Sequence, residues 1–246
     1  MSIVLLIDDP PDPDSTHHAS LLAGARTLAA EISQSFDVPR TELERSYRRF
    51  TERSATVTPE GPDPDAASRD LARAYEIAAG HIDRLGEDQP RSTHTDRLFL
   101  EEVIRRASTR LRQRARTLAE SDADRLTRRQ LDVEFQWLVS LFDVSVSSFE
   151  RKRYENLSHE ANKAMNLNAY ISLMGGTWVE RQGASGVRLM RTELDGWKVP
   201  DSDYLVTLDA DSVLVPEYVP TLVGVLERPS RHRFAIAQTP YSAIPG

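Results

Sequence analysis

Asp209 and Asp211 stand one residue apart at the end of Tyr204-Leu-Val-Thr-Leu208, a short run of apolar and β-branched residues. Such a run suits a strand covered on both faces. The two carboxylates then emerge at the carboxyl edge of a sheet, where α/β proteins bind ligands. Carboxylate oxygens are hard ligands suited to Mg²⁺ or Mn²⁺, and a diphosphate can supply further oxygens to the same ion. A second acidic pair, Asp8-Asp9, follows the apolar run Ile3–Ile7 and is stopped by Pro10-Pro11. It reads either as a ligand site at a strand end or as a turn. Lys163 lies at the start of a helical stretch, 162–173, as a solvated lysine or as a cation that reaches a ligand. His17-His18 has no further ligands nearby in sequence, which argues against zinc. Trp137, Trp178 and Trp197 read as packing residues rather than sugar platforms.

The elements that must position these groups fall into three textures. Ile3–Ile7 predicts a strand, and Leu21–Phe36 a helix with Leu21, Leu22, Leu28 and Ile32 on one face, so an α/β unit begins the chain. From Pro39 to Leu141, Arg, Glu, Asp, Ala and Leu dominate. Helices are expected over 41–53, 66–85 and 96–120, separated by breaks at 54–65 and 86–95. Ser121–Asp124 is expected to cap another helix that runs through Leu131 and Trp137. No apolar heptad is sustained, so a helical hairpin or small bundle is expected rather than a coiled coil. The α/β texture returns with a strand at 144–149 and the helix at 162–173, ended by Gly175-Gly176. Residues 177–200 give only turn signals at Gly183, Gly186 and Gly196. Strand 204–208, helix 216–226 with Pro216 in its first turn, and strand 234–237 complete the pattern.

Composition narrows the function classes. The net charge of −7 supplies no dominant positive field and argues against a nucleic-acid binder. The chain has no cysteine, which excludes disulfides, thiolate zinc sites and cysteine nucleophiles. No apolar run approaches the roughly 20 residues of a membrane span. A soluble, cytoplasmic chain is expected as given.

Four segments, in order, resemble the nucleotide-sugar half of family 2 glycosyltransferases, and cellulose synthase-like enzymes of the GT-A fold in particular. They are Val4-Leu-Leu-Ile-Asp8-Asp9, Asn162-Lys163-Ala-Met-Asn-Leu-Asn168-Ala169, Leu208-Asp209-Ala-Asp211, and Ala237-Gln238-Thr239-Pro240-Tyr241. The resemblance covers about half of the chain. It implies a GT-A-like (Rossmann-like) mixed α/β sheet, incomplete, over 1–38 and 142–246, with a large α-helical insertion at 39–141. It also implies a hexosyltransferase that takes a UDP-sugar donor with Mg²⁺ or Mn²⁺ and transfers the sugar, with inversion, to a carbohydrate or other hydroxyl acceptor.

In that reading Asp8 or Asp9 recognises the uracil, Lys163 reaches the pyrophosphate, and Asn168 braces the helix. Asp211 coordinates the metal. Asp209 contacts the ribose or, through water, the metal, and Gln238 belongs to the donor site. Asn156 and His159 lie where the family has a polar loop ending in His.

The family's first strand, its general base, its acceptor motif and its membrane helices have no counterpart here. The expectation is therefore a fragment of a longer enzyme at the cytoplasmic face of a membrane, with the catalytic base outside this chain. Two other readings stay open. One is a non-catalytic binding module whose helical insertion engages a protein partner. The other is a nucleotidyltransferase, ranked last because no Gly-rich basic loop opens the chain.

Overall fold

The computed structural model describes residues 1–8, 15–55, 64–87, 89–120, 126–209, 212–228 and 234–239. The protein is mixed α/β, about 59 % helical, with small sheets. It divides into two compact units, one of residues 1–38 and 142–203 and the other of 39–141 and 204–246.

In the first unit, Ser2–Ile7 forms β1 and pairs in parallel with β2, Ser145–Glu150, in the register Ser2↔Ser145 to Ile7↔Glu150. Both strands were legible from their apolar runs. A three-residue 3₁₀ turn, Arg151–Arg153, follows β2. Helix α6, Lys163–Ile171, starts at the N-cap Asn162, whose side chain accepts from the Ala164 N–H at 2.9 Å. The chain then reverses at Gly175, whose φ of +70° favours glycine.

Residues 177–198, unreadable in sequence, form an antiparallel sheet in the order β4-β3-β5: β3 is Thr177–Gln182, β4 Val187–Arg191 and β5 Trp197–Lys198. The β3–β4 turn is held by the Glu155 carboxylate, which accepts from the Ser185 N–H at 3.1 Å and its hydroxyl at 2.7 Å. Those bonds hold the Glu155 carboxyl below the usual range. Phe149, Tyr154, Tyr170, Leu173, Leu189 and Val199 are the buried core of this unit, with Val4 and Leu6 of β1 packed against them. Burying each large apolar side chain stabilises the fold by about 1.5–3 kcal/mol.

The second unit is helical. Helix α1, Thr16–Ala55, runs unbroken through Pro39, and the boundary between the units falls inside it. Separate helices were expected on either side of Pro39, because an internal proline costs one backbone hydrogen bond and crowds the preceding turn. Pro39 is fully buried, so packing outweighs that cost.

Helix α2 is Pro64–Glu87. Helix α3, His94–Leu98, a π-helical stretch at Phe99–Arg105, and α4, Arg106–Glu120, form one continuous helical run. Helix α5 is Arg128–Phe142. The expected cap at 121–124 lies outside the described residues. Thr127 caps α5 instead: its hydroxyl accepts from the Gln130 N–H at 3.3 Å, and the Gln130 side chain accepts from the Thr127 N–H at 2.8 Å. Leu43, Phe50, Leu71, Tyr75, Leu111, Phe135 and Leu138 are buried here, with Ala74, Ala78 and Ala79 of α2 at zero exposure. Helix α2 packs along α4.

Two expected strands are absent. Residues 204–208 form no ladder, and Tyr204, Leu205, Val206 and Leu208 are 39–50 % exposed. Residues 234–237 form no ladder either, and Ile236 is 82 % exposed. The apolar pattern was read correctly, but a strand buried on both faces needs hydrogen-bonding neighbours, and among the described residues none pairs with either run. Helix α7, Tyr218–Leu226, begins two residues after Pro216. No described helix is long and apolar enough to cross a membrane.

Candidate functional site

Parallel pairing sends β1 and β2 out of the sheet at the same edge, and the register sets what meets there. Ile7 lies opposite Glu150, so Asp8 emerges beside the basic run Arg151-Lys152-Arg153. The Lys152 ammonium lies 2.9 Å from Asp8 Oδ1, and the Arg151 guanidinium donates to the same oxygen at 3.4 Å. Arg151 is wholly buried. It also donates to the carbonyls of Ser158 and Glu160, in the loop that leads to α6.

A buried guanidinium is tolerated only when its donors are matched. Here one is not, because the Nε–H has no hydrogen-bond partner among the described residues. Helix α6 packs against β1 and against the 3₁₀ turn, so the loop and the helix start belong to the same corner of the unit. The result is one half-exposed carboxylate against two cations at the carboxyl edge of a parallel pair, beside a helix N-terminus. Such a corner offers positive charge and N–H groups to an anion and one carboxylate to a donor group.

Comparison with protein-family models, with curated proteins and with solved structures found no match.

The other expected site residues are distributed as follows. Lys163 is the first residue of α6 and is exposed. Asn168, on the same helix, is exposed too. Asp9 and Asp211 lie outside the described residues. Asp209 is exposed, and its carbonyl accepts from the Ser212 N–H at 3.0 Å. Gln238 is exposed, and the neighbouring Thr239 hydroxyl lies 2.7 Å from the Tyr218 hydroxyl. Asp8 and Lys163 belong to the first unit, whereas Asp209 and Gln238 group with the helices of the second rather than with the α/β residues. Among the described residues, no group of three or more His, Asp or Glu side chains is placed to hold a metal ion.

Asn156 and His159 have structural roles. The Asn156 amide donates to the Leu189 carbonyl at 2.9 Å and accepts from its N–H at 2.9 Å, clamping β4. His159 Nε2 lies 3.0 Å from the Tyr154 carbonyl.

Arg151 and Lys152 were missed in the sequence. A signal was present: three consecutive basic residues follow the second strand as Asp8 follows the first. It gains meaning only when the register brings the two strand ends together.

Proposed function

We propose that this chain binds the diphosphate of a UDP-sugar at the carboxyl ends of β1 and β2 and serves transfer of the sugar to a hydroxyl acceptor, as a glycosyltransferase of GT-A type. The observation that carries this reading is the convergence of Arg151 and Lys152 on Asp8 at that edge. The four ordered sequence segments supply the family. Both ion pairs use Asp8 Oδ1. In this reading Oδ2 accepts the uracil N–H, and Lys152 and Lys163 face the phosphates. The acceptor hydroxyl gives its proton to a general base and attacks the anomeric carbon from the side opposite the diphosphate. The bond from that carbon to the diphosphate oxygen breaks, and UDP leaves with the electron pair. Cations beside the departing diphosphate lower the barrier by meeting the charge as it develops.

A divalent ion arriving with the donor needs only one or two protein carboxylates, the rest of its shell being phosphate and water. The sequence resemblance would give that role to Asp209 and Asp211, and Mg²⁺ or Mn²⁺ would offset the charge of the leaving UDP. Calorimetry with UDP tests the reading. Binding is expected only with Mn²⁺ or Mg²⁺, and to weaken at least about tenfold in both Asp211→Asn and Lys152→Ala. Equal affinity with and without metal removes the metal assignment, and absence of UDP binding removes the whole reading.

A second reading is a nucleotide-binding module without transfer activity. It draws on the division of the candidates, Asp8 and Lys163 in one unit and Asp209 and Gln238 in the other. Metal-dependent UDP binding with no turnover of any UDP-hexose would favour it.

A further inference from the structure

The same strand end that presents Arg151 and Lys152 to Asp8 lines a different cavity with the residues on either side of them. Glu150 and Arg153 help to enclose about 470 Å³ between β2 and the β4-β3-β5 sheet. This volume lies within the roughly 300–1,000 Å³ of small-molecule sites. Its walls are aromatic: Phe149, Tyr154, Trp178 and Trp197.

Trp178 and Trp197 are direct cross-strand partners in the β3–β5 register, so their indoles leave the same sheet face side by side. Both are fixed. The Trp178 N–H donates to the Leu173 carbonyl at 2.9 Å, and Trp197 stacks on Phe149 with ring centroids 6.0 Å apart. Trp197 remains 36 % exposed.

The charges on the wall select the ligand. Glu180 is paired with Arg153 at 2.8 Å and accepts from the Tyr154 hydroxyl at 3.0 Å. Glu150 accepts two hydrogen bonds from Arg26, each of 2.6 Å. Each carboxylate thus has its own guanidinium, which removes the attraction for a cation and leaves no surplus positive charge for an anion. What remains is a wall of apolar ring faces edged by strong hydrogen-bonding groups. A pyranose has that complement, with C–H groups on its faces and hydroxyls around its rim. Two indoles side by side offer a floor to consecutive sugar rings, whereas a flat nucleobase is best held between facing plates.

We infer that the cleft between β2 and the β4-β3-β5 sheet is a binding site for a neutral pyranoside chain, resting on Trp178 and Trp197 and hydrogen-bonded by Glu180. The site is separate from the Asp8 corner and stands whether or not that corner binds UDP.

The test uses the whole chain without nucleotide or metal, with the indole N–H signals followed by NMR. Neutral gluco-, manno- and galacto-configured tetrasaccharides are titrated, beside uridine and tetramethylammonium. A saturable shift of the Trp178 and Trp197 signals is expected with at least one tetrasaccharide, with the Trp137 signal unmoved. Affinity is expected to fall about tenfold in Trp197→Ala and in Glu180→Gln. Glu180 is half-exposed, so its variant keeps the test open if Trp197→Ala fails to fold. The inference is overturned if no tetrasaccharide shifts these signals, if both variants bind as the parent does, or if uridine or tetramethylammonium takes the site in preference.

Discussion

In the strand-containing unit, one arginine is buried completely and its guanidinium is shared between Asp8 and two loop carbonyls. In the helical unit no described arginine is buried. Arg105 pairs with Glu101 at 2.5 Å and Arg106 with Glu102 at 3.1 Å, each one helical turn apart. The first arrangement removes charge from water and aims it at one point, and the second leaves charge in water and spreads it. Water screens the surface pairs, and each is worth at most a few tenths of a kcal/mol. The buried one is costly to form and strong toward whatever enters beside it. The buried guanidinium is therefore a feature of the strand unit. The helical unit is stabilised by its apolar interior, where Phe135 packs on Phe50 at 5.0 Å and on Tyr47 at 6.1 Å.

The largest effect that would break this contrast is in the helical core. Phe135→Ala is expected to cost about 3–5 kcal/mol in urea unfolding, because it leaves a cavity among tightly packed rings. A loss below 1 kcal/mol would mean that apolar packing is not what holds that unit.

Next, Arg151→Met keeps the volume but strips the Ser158 and Glu160 carbonyls of their donor and leaves Asp8 with Lys152 alone, and is expected to cost about 3 kcal/mol. A neutral outcome in the same assay would show the buried charge to be structurally dispensable.

A smaller effect concerns pH. Burial, reinforced by the Glu180 carboxylate, pushes the Tyr154 phenol up to about 12. The folded state then holds this proton more tightly than the unfolded chain, whose tyrosines titrate near 10. Its contribution is complete below pH ~10 and is lost as pH rises toward about 12, on the order of 1–2 kcal/mol. Urea midpoints measured across that range should fall more steeply for the parent than for Tyr154→Phe. Parallel curves would place the loss on other groups.

The smallest effect is Arg105→Ala, expected within about 0.5 kcal/mol of the parent. A loss several times larger would put Arg105 in a network and erase the contrast between the units.

How much of this was legible depended on how local each feature is. Strands β1 and β2, α2, α5 and α6 follow from runs and periodicity within a dozen residues. The continuity of α1 through Pro39 was not legible, because local rules weigh the lost hydrogen bond and not the burial of the proline. The runs at 204–208 and 234–237 have strand-like residues without strand partners, and no sequence pattern states which edge a strand will find. The sheet at 177–198 was hidden for the converse reason. Its strands are short, and Glu155, more than twenty residues upstream, holds its turn. At the candidate site Asp8 was legible from its place after an apolar run. Arg151 and Lys152 were not, since their meaning lies in the register of two strands far apart in sequence. The two indoles of the cleft read as packing residues in sequence. They do pack, on Phe149 and Leu173, and they also line a wall.

The ladder between β1 and β2 has a consequence for synthesis. Asp8 and Arg151 are 143 positions apart. At roughly 5–20 residues per second, a ribosome takes about 7–30 s to deliver the second after the first. For all of that time Ser2–Ile7, an apolar strand with both edges open, has left the tunnel without its partner. Nascent β1 is thus a site for chaperone capture or for mispairing between neighbouring chains on one message.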